Sequence, residues 1–320
     1  MDLGFLVMGA GSIGSVIGGL LHLDGNDVYL IGRGAHIETV KTRGLLITGI
    51  WGRYRIENIN AGTSMIEALG QGFDPEWVIL SVKSHDTKQA LSELTPLLEK
   101  TKGIISLQNG LGNLEAIEAA APKKAVGGRV IFGARTVEPG HVEVTVCADD
   151  VLLGPAYGGP KTEEVQQVCK IFSNARIPCR YEEEILSFIW DKVLYNVCLN
   201  ALATILRTNY GGVSNNKEAW LLVEKLTEEF YAVAKAEGIN MVSRSPQEYL
   251  ERLRNTLIPP TREHRSSMQE DIEHGRKTEI DALNGAIWRL GEKHGIESPA
   301  NETLTRLIKA IEKESGSNKP

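Results

Sequence analysis

The chain contains near its start the stretch Leu6-Val7-Met8-Gly9-Ala10-Gly11-Ser12-Ile13-Gly14, in which an apolar run leads into glycines spaced G-x-G-x-x-G. Small and apolar residues continue over 15–21, as a helix packed closely on a sheet requires. The first glycine permits a tight turn, the second lets the backbone approach a diphosphate, and the third lets the helix lie close to the sheet. Strand, turn and helix in this order predict a dinucleotide-binding unit, with the phosphates at the helix N-terminus.

The next apolar strand indicates which dinucleotide is bound. Residues 27–31 form a short apolar run that ends in Gly32-Arg33-Gly34. Proteins that bind NAD place Asp or Glu about 20 residues after the glycines, where the carboxylate holds the ribose 2′-hydroxyl. Here the strand ends in a cation, and a guanidinium forms paired hydrogen bonds with a phosphate. Arg33 therefore predicts a preference for NADP over NAD.

The composition limits the class of protein. A length of 320 residues is enough for two domains, and a net charge of −6 argues against a nucleic-acid-binding protein, which needs a basic face. The four cysteines show no C-x-x-C spacing and the seven histidines form no H-x-x-x-H pair, so we expect reduced structural cysteines and no metal site. No leader sequence is recognisable, and no apolar run approaches the roughly 20 residues of a membrane span. We therefore expect a cytoplasmic protein that does not bind membranes.

The first half of the chain alternates strand and helix patterns. Continuous apolar runs at 77–82 and 103–107 stand between amphipathic stretches and predict buried parallel strands. Residues 130–146 alternate about a Pro-Gly turn and predict an antiparallel hairpin appended to that sheet. A last strand is predicted at 151–155, before a helix from about 162.

The second half contains only helical periods. They predict helices at roughly 183–206, 216–238, 245–256, 262–294 and 299–314. The predicted fold class is therefore α/β, with an N-terminal Rossmann-type domain over 1–178 followed by an all-helical C-terminal domain over 179–320. Because ligands bind at the carboxyl ends of parallel strands, we expect the substrate site in the cleft between the two domains.

Three polar residues interrupt a helix that is otherwise apolar around most of its circumference. Lys192, Asn196 and Asn200 stand at i, i+4 and i+8, so they share one stripe of the helix surface. An unpaired buried amide or ammonium costs several kcal/mol, so the stripe predicts the wall of a polar site. Two structural explanations compete with this prediction. Lys192 could extend to solvent from the helix end, and the asparagines could bond to neighbouring helices.

Other polar segments are less specific. Lys83 and Asn109 follow predicted strands, at the ends where such sheets bind ligands, although Asn109-Gly110 has equal merit as a simple turn. The charged stretch 266–285 is typical of a solvated helix face. Neither the G-x-S-x-G motif of serine hydrolases nor a phosphate-binding P-loop is present.

Taken together, these segments resemble the ketopantoate reductase (2-dehydropantoate 2-reductase) family over almost the whole chain. The matching segments are Gly9 to Gly14, Val82-Lys83, Gln108 to Gly112, Trp190-Asp191-Lys192 with Asn196 and Asn200, Ser266 to Asp271, and Thr278 to Asp281. The resemblance implies an NADPH-dependent reduction of 2-dehydropantoate to pantoate, a step towards pantothenate and coenzyme A. It also implies a small-molecule 2-oxo acid as substrate, and a monomer or homodimer is expected.

The resemblance assigns roles to individual residues. Lys192 would be the general acid and would also contact substrate. The other implied substrate contacts are Asn109, Asn196, Asn200 and Ser267. The implied cofactor contacts are Gly9, Ala10, Gly11, Ser12, Ile13, Gly14, Arg33, Lys83, Asn109, Ala134 and Glu279.

The chain departs from the family pattern at two places that would touch substrate. His264 stands where the family often has Asn, and residues 207–211 replace a Pro-Asn-Gly segment. A paralogous reductase of another branched 2-oxo acid or of an imine is therefore an open alternative. A dinucleotide-binding sensor without catalysis is a further alternative, but it predicts a decayed stripe, whereas Lys192, Asn196 and Asn200 are all present.

Overall fold

The structure, a computed structural model, describes residues 3–317. Over this range the chain divides into two compact units: residues 3–108 with Asn113–Ile185, and Asn109–Gly112 with residues 186–317. Each unit has a hydrophobic core of its own. The first unit is α/β and the second is helical, which confirms the predicted fold class.

The first unit contains two sheets. Its strands are, in chain order, β1 (Gly4–Met8), β2 (Asp27–Ile31), β3 (Leu45–Gly49), β4 (Tyr54–Ile56), β5 (Asn60–Gly62), β6 (Trp77–Leu80), β7 (Gly103–Ser106), β8 (Ala125–Arg129), β9 (Phe132–Glu138), β10 (His141–Cys147), β11 (Val151–Pro155) and β12 (Cys179–Tyr181). The larger sheet has the order β12-β11-β8-β7-β6-β1-β2-β5. Among the described strand pairs of this sheet, only β8 with β11 is antiparallel.

The central strands of the larger sheet are the continuous apolar runs of the sequence. The side chains of β6 are all buried, and so are those of β7. A parallel strand with both faces covered needs such a run, so the prediction of buried parallel strands is confirmed.

The predicted hairpin forms, but it does not join the larger sheet. Strands β9 and β10 pair antiparallel and lie in a second sheet of order β4-β3-β10-β9. The prediction of a hairpin appended to the parallel sheet is therefore wrong. The hairpin belongs to the second sheet because β10 pairs in parallel with β3, with Val142 opposite Ile47. Local alternation does not reveal such a distant partner.

Helices connect the strands of the first unit: α1 (Ser12–Leu23), α2 (Gly34–Arg43), α3 (Met65–Gly70), α4 (Thr87–Glu93), α5 (Thr95–Leu98), α6 (Asn113–Ala120) and α7 (Thr162–Asn174). After α7 the strand β12 pairs with β11, so the first unit extends to Ile185 and past the predicted boundary at 178. A strand of three residues is too short to produce a recognisable alternation.

The helical unit contains α8 (Ile185–Leu206), α9 (Tyr210–Asn215), α10 (Lys217–Ala236), α11 (Pro246–Arg252), α12 (Ser267–Glu273), α13 (Asn284–His294) and α14 (Pro299–Ser317). Four of the five predicted helices match α8, α10, α11 and α14. The short α9 was not predicted. Its N-cap is Asn209, whose Oδ1 accepts the Gly212 N–H at 2.8 Å.

The fifth predicted helix, 262–294, is wrong because the chain leaves the helical path after α12. Gly275 has φ +62°, and the Arg276 N–H donates to the Asp271 carbonyl at 2.7 Å, which ends α12. A single 3₁₀ turn, Ile280–Ala282, precedes α13. Glu279 lies in this interruption and not on a charged helix face.

Within the described residues, α8 is long and apolar enough to cross a membrane by length and composition. The expectation that no segment would approach that length is therefore wrong. More than half of this helix is buried inside the protein. Burial of this kind is typical of a core helix, which passes the same test.

Candidate active site

The three glycines of the first loop have different surroundings. Gly9 has φ +110°, and a Cβ there would lie 2.5 Å from the Val82 backbone N. A Cβ at Gly14 would lie 2.2 Å from the Gly9 carbonyl oxygen. A Cβ at Gly11 would meet nothing within 4 Å. The chain itself therefore requires the first and third glycines, whereas the second leaves open space where a ligand could approach the backbone.

The open space lies at the start of α1. Gly11 is the N-cap of this helix and provides no side-chain cap, so the first-turn N–H groups are not bonded to a capping side chain. Such a terminus carries partial positive charge and binds phosphate. Ser12 Oγ lies 3.1 Å from Thr136 Oγ1 on β9. Ala134 lies two residues earlier on that strand and therefore on the same side of it.

Arg33 lies where β2 ends and α2 begins. Its side chain is 70% exposed, and its guanidinium is 3.7 Å from the carboxylate of Asp86. An ion pair this exposed contributes little to stability, so the guanidinium could turn to a bound phosphate at small cost. Lys83 is half-buried and precedes the 3₁₀ turn Ser84–Asp86. Arg33 and the segment after β6 thus lie close together within the first unit.

No sequence motif points to His36, yet it holds the glycine loop in place. Its Nδ1 accepts the Gly140 N–H at 3.2 Å, and its Nε2 lies 3.0 Å from Ser15 Oγ. Ser15 Oγ donates to the Ala10 carbonyl at 3.3 Å. This chain of bonds requires a neutral ring that carries its proton on Nε2. Burial accordingly lowers the pKa of His36 from its ordinary value.

We predict that His36 makes the stability of the protein sensitive to acid. Because the folded state holds this ring neutral, its contribution is fully present above the unfolded pKa of about 6.5 and decreases as the pH falls below that value towards the lowered folded pKa. The free energy of unfolding should therefore fall more steeply between neutral pH and about pH 5 in the wild type than in His36→Gln. His22 and His264 also have lowered pKa values, but both proteins contain them. Equal pH slopes for the two proteins would contradict the proposed bond pattern.

In the helical unit, three polar side chains from distant parts of the sequence form a line of hydrogen bonds. Lys192 Nζ donates to Asn109 Oδ1 at 2.7 Å, and Asn109 Nδ2 donates to Glu279 Oε2 at 3.4 Å. Lys192 is half-buried and Glu279 is only 8% exposed. A cation, an amide and a carboxylate are therefore held together where bulk water is partly excluded, and each interacts more strongly there than in open solvent.

Gly110 explains how Asn109 reaches this position. It has φ +83°, and a Cβ there would lie 2.5 Å from the Ala282 Cβ. The next residue, Leu111, donates its N–H to the Ala282 carbonyl at 2.8 Å. The chain thus bends sharply at Asn109-Gly110, and this bend brings the Asn109 amide to Lys192. The bend agrees with the turn interpretation of this segment, and the predicted contacts of Asn109 with substrate and cofactor stay predictions.

The predicted stripe becomes more buried towards the C-terminal end of α8. Asn196 is half-buried, whereas Asn200 is 5% exposed and its Oδ1 accepts the Tyr210 hydroxyl at 2.7 Å. The structural explanation in which the asparagines bond to neighbouring helices therefore holds for the side-chain oxygen of Asn200, whose partner Tyr210 is on α9. Its amide N–H groups are the part that could serve a ligand.

The two adjacent serines have separate positions. Ser266 is fully buried, and its Oγ accepts the Gln269 N–H at 3.1 Å as the N-cap of α12. Ser267 is exposed and could contact a ligand. His264 is exposed, with its ring 5.2 Å from the ring of Tyr210. Tyr210 stands inside the 207–211 segment that departs from the family pattern, so this departure was the signal that could have identified it.

The predicted site residues divide between the units. The first unit holds Gly9 to Gly14, Arg33, Lys83 and Ala134, and the second holds Asn109, Lys192, Asn196, Asn200, Ser267 and Glu279. Among residues 3–317, no three His, Cys, Asp or Glu side chains group closely enough to hold a metal ion, and the four cysteines are free.

Known proteins resemble this chain along nearly its whole length. The family model described as ketopantoate reductase PanE/ApbA matches residues 5–158, and the model of its C-terminal part matches 184–312. The 2-dehydropantoate 2-reductase of Aquifex aeolicus is 36% identical, over 98% of this chain and 98% of the relative. A PanE/ApbA family ketopantoate reductase from Ralstonia eutropha has a similar structure, with TM-score 0.86, 27% identity and coverage of 98% and 99%. D-mandelate dehydrogenase, solved with NADH and anilino(oxo)acetate, has TM-score 0.87, 27% identity and the same coverage.

Proposed function

Because the chain belongs to the ketopantoate reductase PanE/ApbA family, we propose that it reduces 2-dehydropantoate to pantoate with NADPH. The family and its relatives indicate an oxidoreductase. The observation that carries the specific proposal is the line of hydrogen bonds from Lys192 through Asn109 to Glu279. It holds an ammonium group in a partly buried polar cluster, as the reduction of a ketone requires.

The residues of the first unit fit a bound dinucleotide phosphate. The open space at Gly11 and the uncapped start of α1 suit a diphosphate. Arg33 supports the choice of NADPH, because its exposed guanidinium could form two hydrogen bonds with a 2′-phosphate. The absence of an acid at this position removes the usual partner of the NAD ribose.

Lys192 performs the proton chemistry in this proposal. Bound NADPH supplies the hydride. As the substrate carbonyl oxygen gains negative charge, the Lys192 ammonium stabilises that charge and then donates a proton from Nζ, so that the ketone becomes an alcohol. Asn109 Oδ1 accepts a hydrogen bond from Nζ at 2.7 Å and fixes the direction of the remaining N–H groups. Lys192 then regains its proton from solvent.

Three further side chains would position the substrate. The amide of Asn196 and the N–H groups of Asn200 can bind the hydroxyl or carboxylate oxygens of a small acid. The exposed Ser267 hydroxyl is suited to the carboxylate. In this proposal these contacts determine which 2-oxo acid is bound, because the reaction itself needs only the cofactor and the acid.

A second candidate is a reductase of 2-oxo acids with aromatic or larger apolar side chains. The Tyr210 hydroxyl donates a hydrogen bond to Asn200 Oδ1, so this oxygen already has a partner within the protein. The centre of the Tyr210 ring lies 5.6 Å from that of Tyr195, in an edge-on arrangement, and 5.2 Å from that of His264. A cluster of aromatic rings favours an aryl group more than a hydroxyl. The similar D-mandelate dehydrogenase was solved with an aryl-substituted oxo acid, which supports this alternative.

A panel of initial rates separates the two candidates. NADPH oxidation by the purified protein is measured with ketopantoate, 2-oxoisovalerate, pyruvate and phenylglyoxylate, and the series is repeated with NADH. The proposal predicts the highest kcat/KM for ketopantoate with NADPH. A higher value for phenylglyoxylate would transfer the assignment to the second candidate. NADPH binding without turnover of any substrate would contradict both candidates and support the sensor.

We predict that Glu279→Gln lowers kcat/KM by about 10- to 100-fold, since hydrogen bonds to charged groups contribute roughly 1.5–3 kcal/mol. The substitution keeps the size of a buried side chain but removes the charge next to Asn109. Steady-state kinetics and the melting temperature are measured together. Glu273→Gln, at an exposed acid that pairs with Arg265, is the matched control. A lower melting temperature with unchanged kcat/KM would assign Glu279 a structural role only.

A further inference from the structure

The helical unit contains a cavity of about 550 Å³ that includes none of the residues of the proposed active site. The volume lies within the range of small-molecule sites, roughly 300–1,000 Å³. Two arginines and an amide line it, together with an apolar surface. The lining residues are Ser214, Asn215, Arg254, Ile258, Pro259 and Arg262.

Arg254 is held in position by an aromatic ring. Its guanidinium carbon lies 4.0 Å from the centre of the Trp220 ring, and Trp220 is almost fully buried. The backbone of this segment, Leu253–Leu257, is a single π-helical turn in which the Ile258 N–H donates to the Leu253 carbonyl at 3.0 Å. Such turns insert a residue into a helix and occur frequently at functional sites.

Arg262 is held by a glycine. A Cβ at Gly211 would lie 2.4 Å from Arg262 Cγ and 3.1 Å from its Nε, so only glycine leaves room for this side chain. The Gly211 N–H also donates to the Arg262 carbonyl at 2.8 Å. The Arg254 guanidinium is therefore positioned by Trp220 before any ligand binds, and the Arg262 backbone and the base of its side chain are fixed against Gly211, which lowers the entropy cost of binding.

Neither guanidinium pairs with a carboxylate among the side chains that the structure describes. Arg306 of the same unit shows the more usual arrangement, since it also lies over a tryptophan, Trp288 at 4.8 Å, but pairs with Glu302 at 2.7 Å. In a chain of net charge −6, two neighbouring cations without an acidic partner form a local positive field.

We propose that this cavity binds a phosphate ester of a small organic molecule. Arg254 and Arg262 bind the phosphate oxygens through paired N–H groups, and the Asn215 amide adds a further donor. Ile258 and Pro259 provide an apolar surface for the organic part of the ligand. The proposal depends on these lining residues alone and is independent of the proposed reductase activity.

Calorimetry with phenyl phosphate as the probe tests this site. The full-length protein is saturated with NADPH, so that the phosphate-binding loop of the first unit does not compete. We expect a dissociation constant of about 1 mM or tighter. Binding should weaken at least about tenfold in Arg254→Gln and in Arg262→Gln, as expected when a charged hydrogen-bonding partner is lost. It should be unchanged in Arg306→Gln. Failure of the wild type to bind, or equal binding by the Arg254→Gln/Arg262→Gln double variant, would overturn the proposal.

A labelling experiment on the wild type avoids any effect of the substitutions on folding. Phenylglyoxal modifies exposed arginines, and mass spectrometry locates the modified residues. Phenyl phosphate should protect Arg254 and Arg262 and leave the labelling of Arg306 unchanged. Protection at Arg33 without protection at the cavity would place the probe in the first unit and contradict the proposed site.

Discussion

Lys192→Ala is expected to lower kcat for ketopantoate by about 10²- to 10⁴-fold, the usual contribution of a general acid. The side chain supplies both the positive charge beside the reacting oxygen and the proton. The Lys192 side chain is only half-buried, and its Nζ is bonded to Asn109, a polar neighbour. The substitution should therefore remove little of the hydrophobic core. Steady-state kinetics with saturating NADPH measure the loss.

Lys225→Ala is a suitable control for this substitution. Lys225 is an exposed lysine of α10 that pairs with Glu228 at 2.7 Å. Its removal should leave both kcat and KM unchanged. The NADPH dissociation constant should also be similar in Lys192→Ala and in the wild type, since the dinucleotide contacts of the first unit are intact. A Lys192→Ala enzyme within about threefold of wild-type kcat would eliminate this residue as the acid.

Arg33→Ala is expected to weaken NADPH binding by about 10- to 100-fold and to change NADH binding little. The two cofactors differ only in the 2′-phosphate, so the difference between them isolates the contact to that group. Arg33 is 70% exposed with one weak ion pair to Asp86, and its loss should not destabilise the fold. Dissociation constants for both cofactors are obtained by fluorescence titration.

Arg43→Ala serves as the control because Arg43 is an exposed arginine in the last turn of the same helix, α2. It should leave both affinities unchanged. Equal weakening of NADPH and NADH in Arg33→Ala would show that the residue supports the fold of the loop and does not bind the 2′-phosphate.

The dinucleotide loop was predictable because its requirements are local. The strand, the three glycines and the small residues of α1 follow one another in sequence. Gly9 and Gly14 are required by close contacts within the chain, and Gly11 leaves the space in which a ligand could approach the backbone. The apolar runs of β6 and β7 were equally informative, because a strand buried on both faces excludes polar residues.

Long-range pairing was not predictable from such patterns. The hairpin of β9 and β10 alternates as expected, but its sheet is decided by β3, about a hundred residues earlier. The break between α12 and α13 depends on Gly275 and on the bonds of Arg276 to Asp271, within a stretch whose charges otherwise fit one long helix. Helix periodicity alone does not detect such a turn.

In the candidate site, too, the local pattern was predictable from the sequence and the long-range contacts were not. The spacing of Lys192, Asn196 and Asn200 on α8 identified the stripe, whereas Asn109 and Glu279 reach Lys192 only through the tertiary fold. Their selection depended on the family resemblance. His36 acts through hydrogen bonds with Ser15 and Gly140, and Tyr210 acts through a hydrogen bond to Asn200. No spacing rule encodes these long-range bonds.

The most direct test is product analysis of a reaction containing the purified protein, NADPH and ketopantoate. The proposal predicts that one pantoate forms for each NADPH oxidised. It also predicts that Lys192→Ala forms pantoate at least about 10²-fold more slowly, which is the smallest usual effect of losing a general acid. NADPH that binds but is not oxidised, or NADPH that is oxidised without formation of pantoate, would contradict the assigned reaction.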